Sequence, residues 1–374
     1  MMLVGITVFA QKKPTKQEVI SNIIKANHYW QSTHRTHGNS FWDVAAYHTG
    51  NMEAYSVTEN NAYLKYSEAW AKKNEWKGAK SNDKSNWKYS YGETDNYVLF
   101  GDWQICFQTY VDLYNLVPDS NKIARAREVM EYQMSTQKND YWWWADGLYM
   151  VMPVMTKMYK VTKNQLYLDK LTEYFNYANS IMFDSVANLY YRDAKYVYPK
   201  HKSANGKKDF WSRGDGWVFA GLAKVIKDLP KEYQSREVFV KHYQDMAKSI
   251  LLSQQKEGYW TRSMLDPQHA PGPETSGTAF FTYGLLWGIN NGYLNQKIYF
   301  PAAMKGWNYL SKVALQPSGR VGYVQPIGEK AIPGQIVDAN STANFGVGAF
   351  LLAGSEMLRF IDKKEVAKLH GNTK

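Results

Sequence analysis

Two aspartates stand in aromatic surroundings immediately ahead of apolar, helix-periodic runs. Asp102 lies in Phe100-Gly101-Asp102-Trp103-Gln104, and Asp146 follows Trp142-Trp143-Trp144-Ala145. An aspartate in such a place can simply cap a helix. Three successive tryptophans, however, would wall a carboxyl away from water. Desolvation raises a carboxyl pKa and keeps the group protonated as a general acid. On this reading Asp146 is the acid, and Asp102 is the ionised partner with which it shares one proton. A third string, Phe210-Trp211-Ser212-Arg213-Gly214-Asp215-Gly216-Trp217, sets an arginine between Trp211 and Trp217. Its planar fork could take a carboxylate bidentately, or could form a structural pair with Asp215. Tyr190-Tyr191-Arg192-Asp193 offers a second arginine, Arg192, beside Tyr191.

Other candidates are weaker. Glu274-Thr275-Ser276-Gly277 has the form of a helix cap, with Glu274 as a site residue the alternative. Tyr47-His48 opens an apolar run, where His48 is equally a structural or a ligand-binding histidine. Trp143 and Trp144 could wall the acid or stack on a sugar ring. The eight histidines show no H-E-x-x-H or paired metal-ligand spacing, so no metal site is expected. No G-x-S-x-G elbow, P-loop or dinucleotide fingerprint occurs.

The elements that must hold these residues repeat along the chain. Six aromatic loop markers, Trp42, Trp87, Trp142, Tyr190, Tyr259 and Tyr323, follow one another at intervals of 45 to 69 residues. Each precedes an apolar, small-residue-rich run: 43–58, 96–114, 145–162, 211–229, 274–294 and 340–358. Amphipathic stretches with exposed Lys and Glu lie between them, at 16–30, 62–74, 121–136, 166–183, 235–255 and 299–313. A repeat of this length suits a helix pair with a short β-like loop. Six pairs predict an all-α chain closed into a ring, with the loop-to-helix junctions on one face and the more apolar inner helices packed on both sides. The polar loop 196–208 reads as a mobile lid or a surface loop.

Composition fits one large domain, since no linker or low-complexity tract divides the 374 residues. Met1–Ala10 is apolar and ends in Val8-Phe9-Ala10, which resembles the end of a truncated secretory signal. A single domain is then expected over 11–374, exported to a periplasm or beyond. Residues 1–10 are far too few to span a bilayer, so no membrane association is expected. The net charge of +11 is spread as Lys over helix surfaces, with only nine Arg among 45 basic residues. That distribution argues against nucleic acid and agrees with an anionic small substrate. Aromatic content of 16% suits both a large core and a sugar-stacking cleft. The lone Cys106, inside an apolar run, is expected to be a buried thiol.

Ala45-Ala46-Tyr47-His48-Thr49-Gly50, Gly101-Asp102-Trp103-Gln104, Trp142–Pro153, Trp211–Gly221 and Pro273–Tyr283 together resemble the unsaturated rhamnogalacturonyl and unsaturated glucuronyl hydrolases of glycoside hydrolase families 105 and 88. The resemblance spans nearly the whole chain. It implies an (α/α)6 barrel and a glycosidase that needs no cofactor. The implied substrate is an acidic oligosaccharide ending in a Δ4,5-unsaturated uronate, and the implied chemistry is hydration of the C4=C5 enol ether. Asp146 matches the family's general acid/base, Asp102 its second aspartate, and Arg213 and Trp217 its uronate subsite. The chain departs from many relatives in Asp102-Trp103, where two aspartates are usual, and in Asp215, where asparagine is usual. Rhamnogalacturonan-type and ulvan-type aglycones both remain open, as does a monomer or a weak dimer. Two rival functions are a polysaccharide lyase, with His48 or Tyr191 as base, and a sugar-binding protein without catalysis.

Overall fold

The computed structural model describes residues 13–371, with side chains through Glu365; the expected signal segment at 1–10 lies outside them. Among the described residues, twelve α-helices alternate between an outer and an inner layer. The outer helices are α1 (Lys16–Thr33), α3 (Asn61–Lys73), α5 (Asn121–Ser135), α7 (Leu166–Met182), α9 (Arg236–Ser253) and α11 (Gln296–Tyr309). The inner helices are α2 (Trp42–Thr58), α4 (Cys106–Leu116), α6 (Ala145–Thr162), α8 (Ser212–Asp228), α10 (Thr275–Asn290) and α12 (Asn344–Gly371). The inner six pack in sequence order, and α12 returns onto α2, so the ring is closed as expected.

The inner helices run parallel, with their starts side by side. Asn344 at the start of α12 donates to Asp43 at the start of α2 (2.7 Å). Gly277 in the first turn of α10 lies against Ser212 at the start of α8. Small residues allow this closeness. A Cβ at Gly50 would sit 2.1 Å from the Gly348 carbonyl oxygen, and one at Gly348 would sit 2.4 Å from the Ala46 oxygen. The junction of first and last inner helices is therefore a backbone-to-backbone contact.

The loops that enter the inner helices form a β-like belt. Trp144 bridges Asp193, Trp211 bridges Ser263 and Thr261 bridges Pro273, each antiparallel. A short hairpin, β1 (Phe183–Asp184) with β2 (Leu189–Tyr190), feeds this belt. Of the two readings of the loop 196–208, the surface loop fits and the mobile lid does not. Ser203 donates to Asp266 (2.5 Å), Asn205 donates to both Asp266 oxygens, and Lys208 pairs with Asp184 (2.5 Å), so the loop is pinned. Cys106 is buried, as expected.

At the opposite mouth the inner helix C-termini meet cations. Lys157 pairs with Asp112, Lys160 with Asp228, and Lys227 and Arg359 share Glu53. Cations there offset the negative ends of the helix dipoles. At the other mouth the six inner-helix N-termini converge.

Gly348→Ala should lower unfolding free energy by roughly 1–3 kcal/mol, because the added methyl must displace backbone. Urea denaturation checks it, and an unchanged midpoint would contradict the close junction.

Candidate active site

Asp146 is the second residue of α6. Its helix begins where the extended Trp142–Trp144 segment meets the belt, and the Ala145 amide donates to the Arg192 carbonyl (2.8 Å). That pairing sets Arg192 opposite Asp146, with Nε 3.9 Å from Oδ2. Neither atom has a hydrogen-bond partner among the described residues, though both are buried. Arg192 lies over the Trp143 ring (5.7 Å) and is fixed by Asp193, which accepts from Nη1 at 2.6 Å.

Asp102 sits in a short 3-10 turn, Gly101–Trp103, that precedes α4. Gly101 is what permits its approach: a Cβ there would meet Val151 at 2.9 Å and Trp144 at 3.0 Å. The Asp102 turn is thereby pressed against the first turns of α6. Trp144 is buried against Phe100 (4.8 Å), and Trp143 stays partly exposed beside it. Trp142 turns to the outer layer, edge-on to Tyr174, so two of the three tryptophans wall the site.

Burial holds the Asp102 carboxyl well above the usual range, and the negative charge of Asp146 adds to this. Burial also raises Asp146, but Arg192 and Arg213 pull it back. Both carboxyls are thus held towards the protonated form, Asp102 without a close cation to offset its burial. The raised Asp146 follows the expectation from the tryptophan run, whereas Asp102, expected to be the ionised partner, is raised as well. Helix N-termini favour the anionic form of whichever partner loses the proton.

Arg213 is held differently from the expectation that it takes a substrate carboxylate. It is 1% exposed and sandwiched between Trp211 (4.5 Å) and Phe345 (4.6 Å). Its Nη1 donates to the Gln325 carbonyl (2.6 Å) and Nη2 to the Pro326 carbonyl (2.8 Å). Trp211 Nε1 donates to the Gln325 side chain (2.8 Å). Arg213 and Trp211 thus anchor the segment 325–341 that borders the cleft. Asp215 is not the partner of Arg213; it accepts from the Tyr190 amide (2.8 Å). Trp217 is wholly buried against Phe280 (4.3 Å) and Tyr149 (4.8 Å), below the cleft.

Four other candidates lie away from the carboxyl pair. Glu274 caps α10 by accepting from the Ser276 and Gly277 amides, and also accepts from the Gln325 amide. Tyr47 and His48 fall more than a turn inside α2 and face the outer helices α1 and α3. Tyr47 donates to Asn27 (2.5 Å), and His48 bonds Ser67 (2.9 Å) and stacks on Trp70 (3.9 Å). Tyr191 stacks on Phe210 and donates to Asp184 (2.9 Å). No group of three or more metal-ligating side chains exists among the described residues.

The structure adds residues that the sequence reading missed. Asp43 is raised by burial and, with Glu93, acts on Asp102. Tyr91 is 59% exposed, donates to Glu93 (2.8 Å) and feels the charges of Asp102 and Arg192. Glu329, 44% exposed, reaches Arg192 at 3.4 Å. Asp43 had a readable signal, an acid one residue after the marker Trp42. Glu329 had none, since its loop carries no helix-start pattern.

A carboxyl raised in the folded state contributes stability fully only below its unfolded pKa, and that stability is lost as pH rises through the folded value. Asp102→Asn should therefore be more stable than the parent at neutral pH, with the advantage gone below about pH 4. Thermal melts across that range test it. A variant less stable at neutral pH would contradict the burial assigned to this acid.

Comparison with known proteins agrees with this geometry. The model for Glycosyl Hydrolase Family 88 matches residues 8–361. The chain is 33% identical over 368 residues to Unsaturated 3S-rhamnoglycuronyl hydrolase of Formosa agariphila, covering 95% of this chain and 94% of that protein. A solved structure from Bacteroides vulgatus, named as a glycosyl hydrolase of family 88, is 63% identical with a TM-score of 0.91, over 93% of this chain and 100% of that one. Another, named as a polysaccharide lyase, is 70% identical with a TM-score of 0.92, over 93% of this chain and 99% of that one. A helical ring with a buried aspartate pair at its N-terminal mouth, matched along nearly its full length, belongs to glycosyl hydrolase family 88.

Proposed function

We propose that this glycosidase removes the Δ4,5-unsaturated uronic acid from the non-reducing end of lyase-generated oligosaccharides by hydrating the C4=C5 enol ether. The observation that carries this reading is the buried Asp146–Arg192 pair with Asp102 beside it. Arg192 is the cation placed to hold a uronate carboxylate next to an acid. Once that carboxylate occupies Arg192, Asp146 loses its counter-charge and becomes the better proton holder of the two aspartates. Asp146 then protonates C4, and an attacking water gives C5 its hydroxyl while returning a proton to the carboxylate. The resulting hemiketal opens, releasing the rest of the chain as an alcohol and leaving a 4-deoxy-5-keto uronate. Atoms balance with one water consumed. Trp143 and Tyr91 supply exposed ring faces for the sugar.

For the aglycone we favour rhamnose in sulfated, ulvan-type oligosaccharides over rhamnogalacturonan-type ones. The name of the Formosa agariphila relative supports this, as does the chain's net charge of +11. Export, if residues 1–10 act as a signal, would bring the enzyme to such fragments.

One relative's name favours a second reading, β-elimination by a lyase. Its sequence-derived bases fare poorly, since His48 and Tyr191 are buried and already hydrogen-bonded. The two reactions change ultraviolet absorbance in opposite directions. A panel of unsaturated rhamnose-linked oligosaccharides, sulfated and not, should lose the absorbance of the C4=C5 bond. Asp146→Asn should cut kcat by about 10²–10⁴-fold while leaving substrate binding in place. Absorbance gained from intact polysaccharide, or an Asn variant near full activity, would overturn the assignment.

A further inference from the structure

Arg192 meets two kinds of carboxylate. Asp193 is 3% exposed, bridges Trp144 within the belt and accepts from the Lys195 amide (2.8 Å), so it is built into the fold. Glu329 is 44% exposed and arrives from the irregular segment 325–341, far along the chain. It lies 3.4 Å from Arg192 Nη1 and 3.2 Å from Lys195 Nζ. Tyr196 also acts on its carboxylate.

The segment is fastened on either side of Glu329. Arg213 holds Gln325 and Pro326, and Arg262 Nη1 donates to the Gln335 carbonyl (2.8 Å). Between these anchors the chain reaches solvent at Ile327, 66% exposed, and turns in again at Ala331, 1% exposed. Around Arg192 the cleft already holds Asp102, Asp146, Asp193 and, near Asp102, Asp43 and Glu93. An anionic ligand entering so acidic a site gains a cation only by taking one from a carboxylate already there. Of the three carboxylates that pair with Arg192, Glu329 is the one whose side chain is partly exposed and the one that comes from outside the belt.

We infer that Glu329 is a placeholder: in the free enzyme its carboxylate occupies part of the Arg192 surface that a substrate carboxylate takes over. The inference rests on the uronate-hydrolase reading and adds a specificity residue to it. Glu329 keeps Arg192 desolvated and oriented when the cleft is empty, and it discriminates against ligands without a carboxylate, which cannot displace it. A protein whose binding-competent state is only partly populated shows an apparent affinity reduced by that fraction. Removing the placeholder should therefore tighten binding of the acid.

The test measures KM and kcat for an unsaturated rhamnose-linked disaccharide and for its uronate methyl ester. Glu329→Gln and Glu329→Asp are compared with the parent. Asp keeps the charge but draws it back by one methylene, which separates local occupancy from a long-range field. Both variants should lower KM for the free acid by about 3–10-fold with little change in kcat, and neither should tighten the ester to that extent. An unchanged or raised KM for the acid would overturn the placeholder, and so would a gain with Gln alone or an equal gain for the ester. Absence of turnover by the parent on any unsaturated oligosaccharide would instead remove the hydrolase reading, and the placeholder with it.

Discussion

Everything at the working mouth of this barrel follows from burying two carboxyls beside one guanidinium. Asp102 and Asp146 are both taken from water, and only Asp146 is given a cation close at hand, Arg192 at 3.9 Å. That asymmetry makes the pair chemically useful. One acid keeps a proton at a pH where a free carboxyl would have lost it, and the balance between the two depends on what else touches Arg192. The arrangement costs stability, as buried charges do unless fully paired. The surrounding ring, with its large aromatic core, is what makes it tolerable.

The rest of the site serves that constraint. The antiparallel bridge between Trp144 and Asp193 fixes Asp146 and Arg192 on adjacent segments without a long-range fold movement. Gly101 lets the Asp102 turn slide under Trp144, where any side chain would collide. Arg213 acts at one remove. Its guanidinium is spent on two backbone carbonyls of the segment that carries Glu329, so it shapes the cleft wall and adds to the field at Asp146. A buried arginine between aromatic rings is indistinguishable in sequence from one that points at a ligand.

Much of the architecture was legible in the sequence, and the exceptions have physical causes. The α6 helix runs from Ala145 to Thr162 as its periodicity predicts, since an extended aromatic segment precedes it and a left-handed cap at Lys163 ends it. The run expected over 96–114 instead begins its α-helix at Cys106, because the Gly101–Trp103 turn must stay tight to approach α6. The helix expected over 299–313 starts earlier, where Asn295 caps it, and passes into a π-turn at Leu310–Ala314. Asp102 and Asp146 were visible because aspartates at aromatic helix starts are conspicuous. Arg192 was visible only as a candidate, and Glu329 was invisible, since its position depends on how an irregular segment is anchored by residues 73 to 114 positions away.

The account stands or falls on whether the reaction passes through C4. Turnover in D₂O, with the product followed by NMR and mass spectrometry, decides this directly. Hydration of an enol ether by Asp146 must place one non-exchanged deuterium at C4 of the released keto-uronate during the first turnover, in parallel with loss of ultraviolet absorbance. An initial product that still holds the C4=C5 bond, with its vinylic protium and its ultraviolet absorbance intact after the rest of the chain has left, would mean direct displacement at the anomeric carbon, and the role assigned to the Asp146–Arg192 pair would be wrong.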